Sequence, residues 1–353
     1  MSIFKPPQLT DKPLLIKALQ GNAENLTRLR KHFPVNGFDV ILTSPPYWQR
    51  RDYGHPDQLG QEATPNLFIQ NLSKTVHKWI KYLAPHASVF INLADTYVNG
   101  YLVGIPTLFE VEMTRRGWQL AHRIIWSKTT SVPQPLATRL ASRHEVVFHF
   151  VPPKSKSYYF DRFALAEYCK GAEIGDVWHL AASRSKSGHP APFPAELVNR
   201  ILRLSCPEQR CSKCGKPYIR QTAPSTILDL SRPQAVKAME RFEAAGLTED
   251  HIAAIRAVGI SDAGMGKKLQ RGSGRNNVYK QKLADEAKAA LGGYYREFTF
   301  APREHIGWQR CSCEASTQPG CVLDPFAGSN TTLLTAHELG FHAIGVDLTP
   351  HPL

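Results

Sequence analysis

Residues 321–347, CVLDPFAGSNTTLLTAHELGFHAIGVD, change their periodicity twice within one stretch. Cys321 to Leu323 is a short apolar run, and Asp324-Pro325-Phe326-Ala327-Gly328-Ser329 is a turn of proline, glycine and small residues. Thr331 to Leu339 has helical spacing and stops at Gly340, and Ala343 to Val346 is a second apolar run closed by Asp347. Strand, small-residue turn, helix, strand and terminal acid make a nucleotide-binding half, so the chain is expected to be α/β and Rossmann-like. In such a half the acid accepts hydrogen bonds from ribose hydroxyls.

A second stretch, FDVILTSPPYWQRRDYG, places chemistry on the same kind of sheet. Phe38 to Leu42 reads as a buried strand, being short, apolar and rich in β-branched residues. Pro45 and Pro46 end it. Each proline lacks an N–H, fixes its own φ and drives the residue before it to extended geometry. The result is a stiff turn that presents Ser44 and Tyr47 at a strand's carboxyl end, the edge where open α/β sheets bind ligands. Rigid acceptors suit an exocyclic amino group of a nucleobase, whose lone pair is delocalised into the ring. Acceptors on the N–H groups draw that lone pair out of the ring plane by preorganisation rather than by acid–base catalysis. An aromatic beside them can stack on a base taken out of its helix. The plainer alternative is a proline-rich turn that only closes a strand.

Taken together, TSPPYW and DPFAGSNTT resemble the amino-methyltransferases of DNA, whose catalytic motif is (D/N/S)PP(Y/F) and whose cofactor motif is similar to DPFxGSGTT. The catalytic motif comes first, which resembles the permuted β class of that family. The resemblance implies S-adenosylmethionine as cofactor, held by Asp324, Pro325, Phe326, Gly328 and Ser329 with Asp347 on its ribose. It implies Ser44, Pro45, Pro46 and Tyr47 as the catalytic residues acting on a flipped-out base of double-stranded DNA. The serine form of the motif is most typical of cytosine-N4 enzymes and the aspartate form of adenine-N6 enzymes, so adenine stays as the alternative target. A silent DNA-binding protein with the same fold is the alternative from another class. Site-specific marking or restriction–modification is the implied setting, with a restriction endonuclease as a possible partner. Asn22 stands where relatives carry Gly-Asp at the cofactor's adenine. Phe193 and Pro194, in HPAPFPAELVNRILRL, match the family segment beside its methionine moiety; Pro194 is equally a plain helix opener. Asn330 replaces the usual glycine of the cofactor motif.

Charge and cysteines fill in the rest. A net charge of +13 favours a polyanionic partner, since neutralising phosphates dominates nucleic-acid affinity. The expected phosphate contacts are Arg50 and Arg51 in a loop after the catalytic turn, and Lys128, Arg139 and Arg143 in a long proline-broken connection. A mobile loop over the target base and a merely solvated loop are both open for residues 48–62. With no long apolar run and no signal peptide, the expected location is the cytoplasm, where seven cysteines argue for thiols or metal over disulfides. Cys211-x-x-Cys214-Gly215 and Cys311-x-Cys313 form two close pairs, a candidate Cys₄ site for structural zinc. They bracket a large insertion that contains two helices, Arg232 to Ala245 and Thr248 to Val258, and then KKLQRGSGRNNVYKQK. Lys267, Lys268, Arg271, Arg275 and Lys280 in that acid-free stretch suit a nucleic-acid groove. The expected organisation is a catalytic part over 1–205, a zinc-stapled target-recognition insertion over 206–320, and the cofactor-binding half over 321–353.

Overall fold

Eight strands share one sheet: β1 Ile16–Gln20, β2 Phe38–Thr43, β3 Leu83–Leu93, β4 Gln119–Lys128, β5 His144–Val151, β6 Val177–Leu180, β7 Cys321–Asp324 and β8 His342–Asp347. They belong to a computed structural model that describes residues 13–130, 139–170, 174–182, 193–225, 228–259, 278–300 and 303–353. The strand order is β1-β8-β7-β2-β3-β5-β4-β6. β5 runs antiparallel to β3 and β4, and the other neighbouring pairs are parallel. The strands nearest the two ends of the sequence are neighbours: Ile16 lies opposite Ala343, and Gln20 opposite Asp347. β7 lies against β2, with Val322 opposite Val40 and Leu323 opposite Ile41. The two motif turns therefore leave the sheet side by side at its carboxyl edge.

All six residues of β2 are buried, the apolar ones under the layers that cover both faces of the sheet and Asp39 and Thr43 with polar partners. Ile41, Val89 and Ile91 pack with Phe68, Leu72 and Phe109, which lie on the helices Pro65–Lys78 and Ile105–Arg115. Val40, Leu42 and Phe90 pack with Leu197, Val198 and Ile201 of the helix Ala195–Ser205 and Leu333 of the helix Thr331–Glu338. Gly345 allows that last helix to approach β8. A Cβ there would stand 2.7 Å from the Ala327 Cβ and 2.9 Å from Leu333 Cδ1.

The opposite end of β2 carries a buried charge. Asp39 accepts from the Cys321 N–H at 2.7 Å and pairs with Arg210 Nη1 at 2.9 Å and His86 Nε2 at 2.6 Å. Arg210, 1% exposed, also donates to the Gly37 carbonyl at 3.0 Å. Two strands distant in sequence and the residue before Cys211 thus meet at one carboxylate, satisfied as a buried charge must be.

The described residues divide into two compact units, 13–219 with 308–353, and 220–307. The smaller one has the helices Pro233–Ala244, Glu249–Val258, Val278–Leu291 and Tyr295–Thr299, with Ile252, Ile255, Leu291 and Phe298 in its own core. The first two match the expected pair. The third begins at Val278, inside the stretch expected to be a basic groove, and its buried face of Ala284, Ala287 and Leu291 is too small to give a strong apolar signal. Leu26–His32 forms a 3₁₀ helix between β1 and β2. The Asn22 and Asn25 side chains take the N–H groups of Glu24 and Thr27, a local alternative to helical bonding.

Candidate active site

At the carboxyl edge of the sheet the motif turns enclose a cavity of about 830 Å³, within the usual range for a small-molecule site. Its wall contains Ser44, Pro45, Pro46 and Tyr47 from the end of β2, and Asp324, Pro325, Phe326, Gly328 and Ser329 from the end of β7. Asn22, Asp347 and Phe193 line it as well. Pro194 does not; it is the N-cap of the helix Ala195–Ser205, one position before the N1 site where proline is most at home. Sequence distance has been removed at one bond: Thr43 Oγ1 donates to Asp324 Oδ1 at 2.5 Å.

The turn after β7 is held from below and from the side. Asp324 Oδ2 accepts from Thr332 Oγ1 at 2.6 Å, and Oδ1 also accepts from the Phe326 N–H at 3.1 Å. Burial pushes the Asp324 carboxyl up to about 6, while the hydrogen bonds from Thr332, Thr43 and Phe326 favour its charge. Asp347 accepts from the Gly328 N–H at 2.9 Å on Oδ2 and from the Thr349 N–H at 3.0 Å on Oδ1. A carboxylate has about four acceptor positions, so the half-buried Asp347 retains capacity toward the cavity. Gly328 sits at φ 47°, and a Cβ added there would meet nothing nearer than the Phe326 carbonyl at 4.0 Å. Asn330, in place of the family glycine, also adopts the left-handed region at φ 62°, where asparagine is tolerated. Its Nδ2 donates to the His351 carbonyl at 3.0 Å.

The Ser44–Tyr47 turn is wired to residues that lie outside both motifs. Ser44 Oγ lies 3.0 Å from Tyr47 Oη, and Tyr47 Oη donates to Glu145 Oε2 at 2.7 Å. Asn92 Nδ2 donates to Tyr47 Oη at 2.8 Å and to Glu145 Oε2 at 2.6 Å. Burial, then the charge of Glu145, raises the Tyr47 phenol well above its ordinary value, so it stays protonated. Because β5 is antiparallel, its first residues reach the edge where β2 and β3 end. A polar residue near the site-facing end of a mostly apolar strand was the available signal: Asn92 in ASVFINL and Glu145 in EVVFHF.

The expected phosphate contacts divide between the cavity rim and other surfaces. Arg50 is exposed and donates to the Asp95 carbonyl at 2.7 Å, and Arg51 lies 5.6 Å from the Tyr53 ring centroid. Both arginines, with Tyr53 and His55, line the cavity that holds Asp347. Arg143 is exposed and donates to the Thr129 carbonyl at 3.0 Å; Arg139 stacks 4.5 Å over Tyr97. Lys128 Nζ sits 2.6 Å from Glu145 Oε1, so its ammonium serves this ion pair in the protein alone. Lys280 is exposed in the first turn of its helix, and Lys267, Lys268, Arg271 and Arg275 lie outside the described residues. Asp95, whose carbonyl takes Arg50, is a turn residue that accepts from the N–H groups of Thr96, Gly104 and Ile105.

Cys211, Cys214, Cys311 and Cys313 converge in the larger unit, with all four Sγ atoms within 4.8 Å of one another. The sulfurs of a tetrahedral zinc tetrathiolate lie about 3.8 Å apart, so the four thiols fit such an ion. The strand Arg210–Cys211 pairs with Thr317–Gln318, and the Gly215 N–H closes a turn onto the Cys211 carbonyl at 2.9 Å.

A mostly parallel α/β sheet whose two motif turns share a ligand-sized cavity at its carboxyl edge is the arrangement in which open α/β sheets bind nucleotide-like ligands. The N6/N4 DNA methylase family matches residues 38–212 and 286–352, more than half of the chain, and the chain belongs to that family. Its relatives include the type II methyltransferase M.XycI of Xanthomonas campestris pv. cyanopsidis, 27% identical over 232 residues, which are 56% of this chain and 76% of that protein. M.Cfr9I of Citrobacter freundii, also a type II methyltransferase, is 26% identical over 53% of this chain and 71% of that one. The type II methyltransferase M.MwoI of Methanothermobacter wolfeii is 31% identical over 52% of this chain, but the match takes in 25% of that protein. Among solved structures, the cytosine-N4-specific PvuII DNA methyltransferase aligns over 97% of this chain and 86% of its own, with TM-score 0.49 and 15% identity, a likeness too slight to bear on the target base. Among the described residues no helix is long and apolar enough to cross a membrane.

The raised carboxyl of Asp324 has a measurable consequence. Between its ordinary value of 3.8 and about 6, the folded chain holds a proton there that the unfolded chain has lost. The contribution is full below the lower value and is lost as pH rises through the upper one, by up to about 3 kcal/mol. Urea unfolding across that window should show a flatter pH dependence for Asp324→Asn than for the wild type. Identical slopes would refute the assignment.

Proposed function

We propose that this chain transfers a methyl group from S-adenosylmethionine to the exocyclic N4 amino group of a cytosine flipped out of double-stranded DNA. One observation carries the proposal: Ser44-Pro45-Pro46-Tyr47 and the acid-ended half at Asp324–Ser329 and Asp347 face a single cavity. The cofactor, when bound, supplies an electrophilic methyl group on its sulfonium. Asp347 takes the ribose hydroxyls with its remaining acceptor positions, and Asn22 lies toward the adenine. Phe193 and Phe326 give apolar walls, with Gly328 and Ser329 leaving room beside the turn.

On the base side, Ser44 Oγ and the Pro45 carbonyl accept from the amino group; the nitrogen lone pair takes the methyl as its bond to sulfur breaks, S-adenosylhomocysteine leaves, and the methylated nitrogen then loses one proton to solvent water. The prolines fix both acceptors before the base arrives, so little reorganisation is left for the transition state. Tyr47 stacks on the base, and the anchoring of its hydroxyl by Glu145 sets the plane of the ring. Extruding the cytosine costs a few kcal/mol of unstacking, which the stacking partly returns. The serine of the motif supports cytosine over adenine as target. Arg50, Arg51, Arg139 and Arg143 are placed on DNA phosphates, and the unit 220–307 is assigned target recognition. The type II methyltransferase relatives support site-specific modification. A structural zinc ion on Cys211, Cys214, Cys311 and Cys313 would join the two points where the chain leaves and re-enters the larger unit.

Ser44→Ala is expected to lower the single-turnover transfer of tritiated methyl to DNA by about 10²-fold or more. Its affinity for S-adenosylmethionine should not change; loss of cofactor binding would show that Ser44 is not an acceptor for the base. Elemental analysis of the purified protein should find about one zinc per chain, falling in Cys214→Ser. A well-folded, metal-free chain with four titratable thiols would rule out the zinc assignment.

A further inference from the structure

The direction of each hydrogen bond around Tyr47 can be worked out from the groups themselves. Glu145 is 8% exposed and paired with Lys128 at 2.6 Å, so it is a carboxylate and an acceptor only. The Asn92 amide must turn its nitrogen to Glu145, because its oxygen would set two acceptors face to face. Tyr47 Oη has one proton and two lone pairs. Its proton goes to Glu145 Oε2, and Asn92 Nδ2 fills one lone pair. The remaining lone pair can only accept, and the group that reaches it is Ser44 Oγ at 3.0 Å. The single proton of Ser44 is thereby committed to Tyr47. Toward the cavity, which it lines, Ser44 is left with lone pairs alone.

We propose that Glu145 is a positioning residue for the transfer: acting through Tyr47, it fixes Ser44 as a pure acceptor toward the amino group of the target base. This rests on Ser44 being an acceptor in methyl transfer and extends that role. A serine hydroxyl free to rotate would present its proton to the amino nitrogen for part of the time, occupying the lone pair that must attack. A chain ending in a carboxylate forbids that state. Lys128 and Asn92 hold the carboxylate in place, which explains an ion pair built beside the cavity rather than on the surface. The same device serves cytosine N4 and adenine N6, because it reads an amino group.

The test is a double-mutant cycle in single-turnover methyl transfer from tritiated S-adenosylmethionine to unmethylated, amplified genomic DNA. In Glu145→Gln the amide can donate to Tyr47 and reverse the chain. Glu145→Gln alone should lower the rate constant by about 10²-fold, with the affinities for cofactor and DNA unchanged. Added to Ser44→Ala, it should cause little further loss, since its whole effect passes through Ser44. The pair Lys128→Met with Glu145→Gln, which leaves no unpaired buried charge, should show the same rate loss and the same dependence on Ser44 if folding is perturbed in the single variant. Losses that multiply in the cycle would overturn the inference while leaving the methyltransferase reading intact. A wild-type chain that transfers no methyl would overturn both.

Discussion

The hydrogen bond from Thr43 to Asp324 joins residues 281 positions apart and holds the whole site together. It exists because β2 and β7 are parallel neighbours, so that the turns leaving the two strands emerge at one edge. Everything chemical on this chain hangs from those two exits. The double proline stiffens one, the Asp324–Ser329 turn shapes the other, and Asp347 at the end of β8 closes the pocket beside them. Moving either strand by one register position would carry its turn away from the other and expose the opposite set of side chains.

Three of the buried carboxylates do different work, and their surroundings decide which. Asp39 meets a cation, an imidazole and a backbone N–H at the far end of β2, and serves as a structural node. Asp324 is met by hydroxyl and backbone donors, and burial holds its proton on to about pH 6. Glu145 pairs with Lys128 at 2.6 Å beside the Ser44–Tyr47 turn. A buried charge without a partner would be too costly to keep, so each partner set indicates what the carboxylate is for.

Much of this was legible in the sequence wherever local chemistry dictates local structure. The period changes in 321–347 foretold β7, the helix Thr331–Glu338 and β8, and the apolar run before the prolines foretold β2. The cysteine spacings foretold the cluster of four thiols. The features that stayed hidden depend on long-range pairing. Glu145 is the second residue of a mostly apolar strand, and its reach into the site comes from β5 running antiparallel. Lys128 reads as a loop cation until it proves to be the last residue of β4, where its ammonium reaches Glu145 Oε1 at 2.6 Å although Trp126 is the residue directly opposite that glutamate. The helix Val278–Leu291 was obscured because alanines form most of its buried face.

The measurement that bears most directly on the central claim is nucleoside mass spectrometry of unmethylated DNA incubated with the protein and S-adenosylmethionine. The account predicts N4-methylcytosine. N6-methyladenine would contradict the assignment of the target base, and the absence of any methylated nucleoside would contradict the claim that the two turns form a working transfer site.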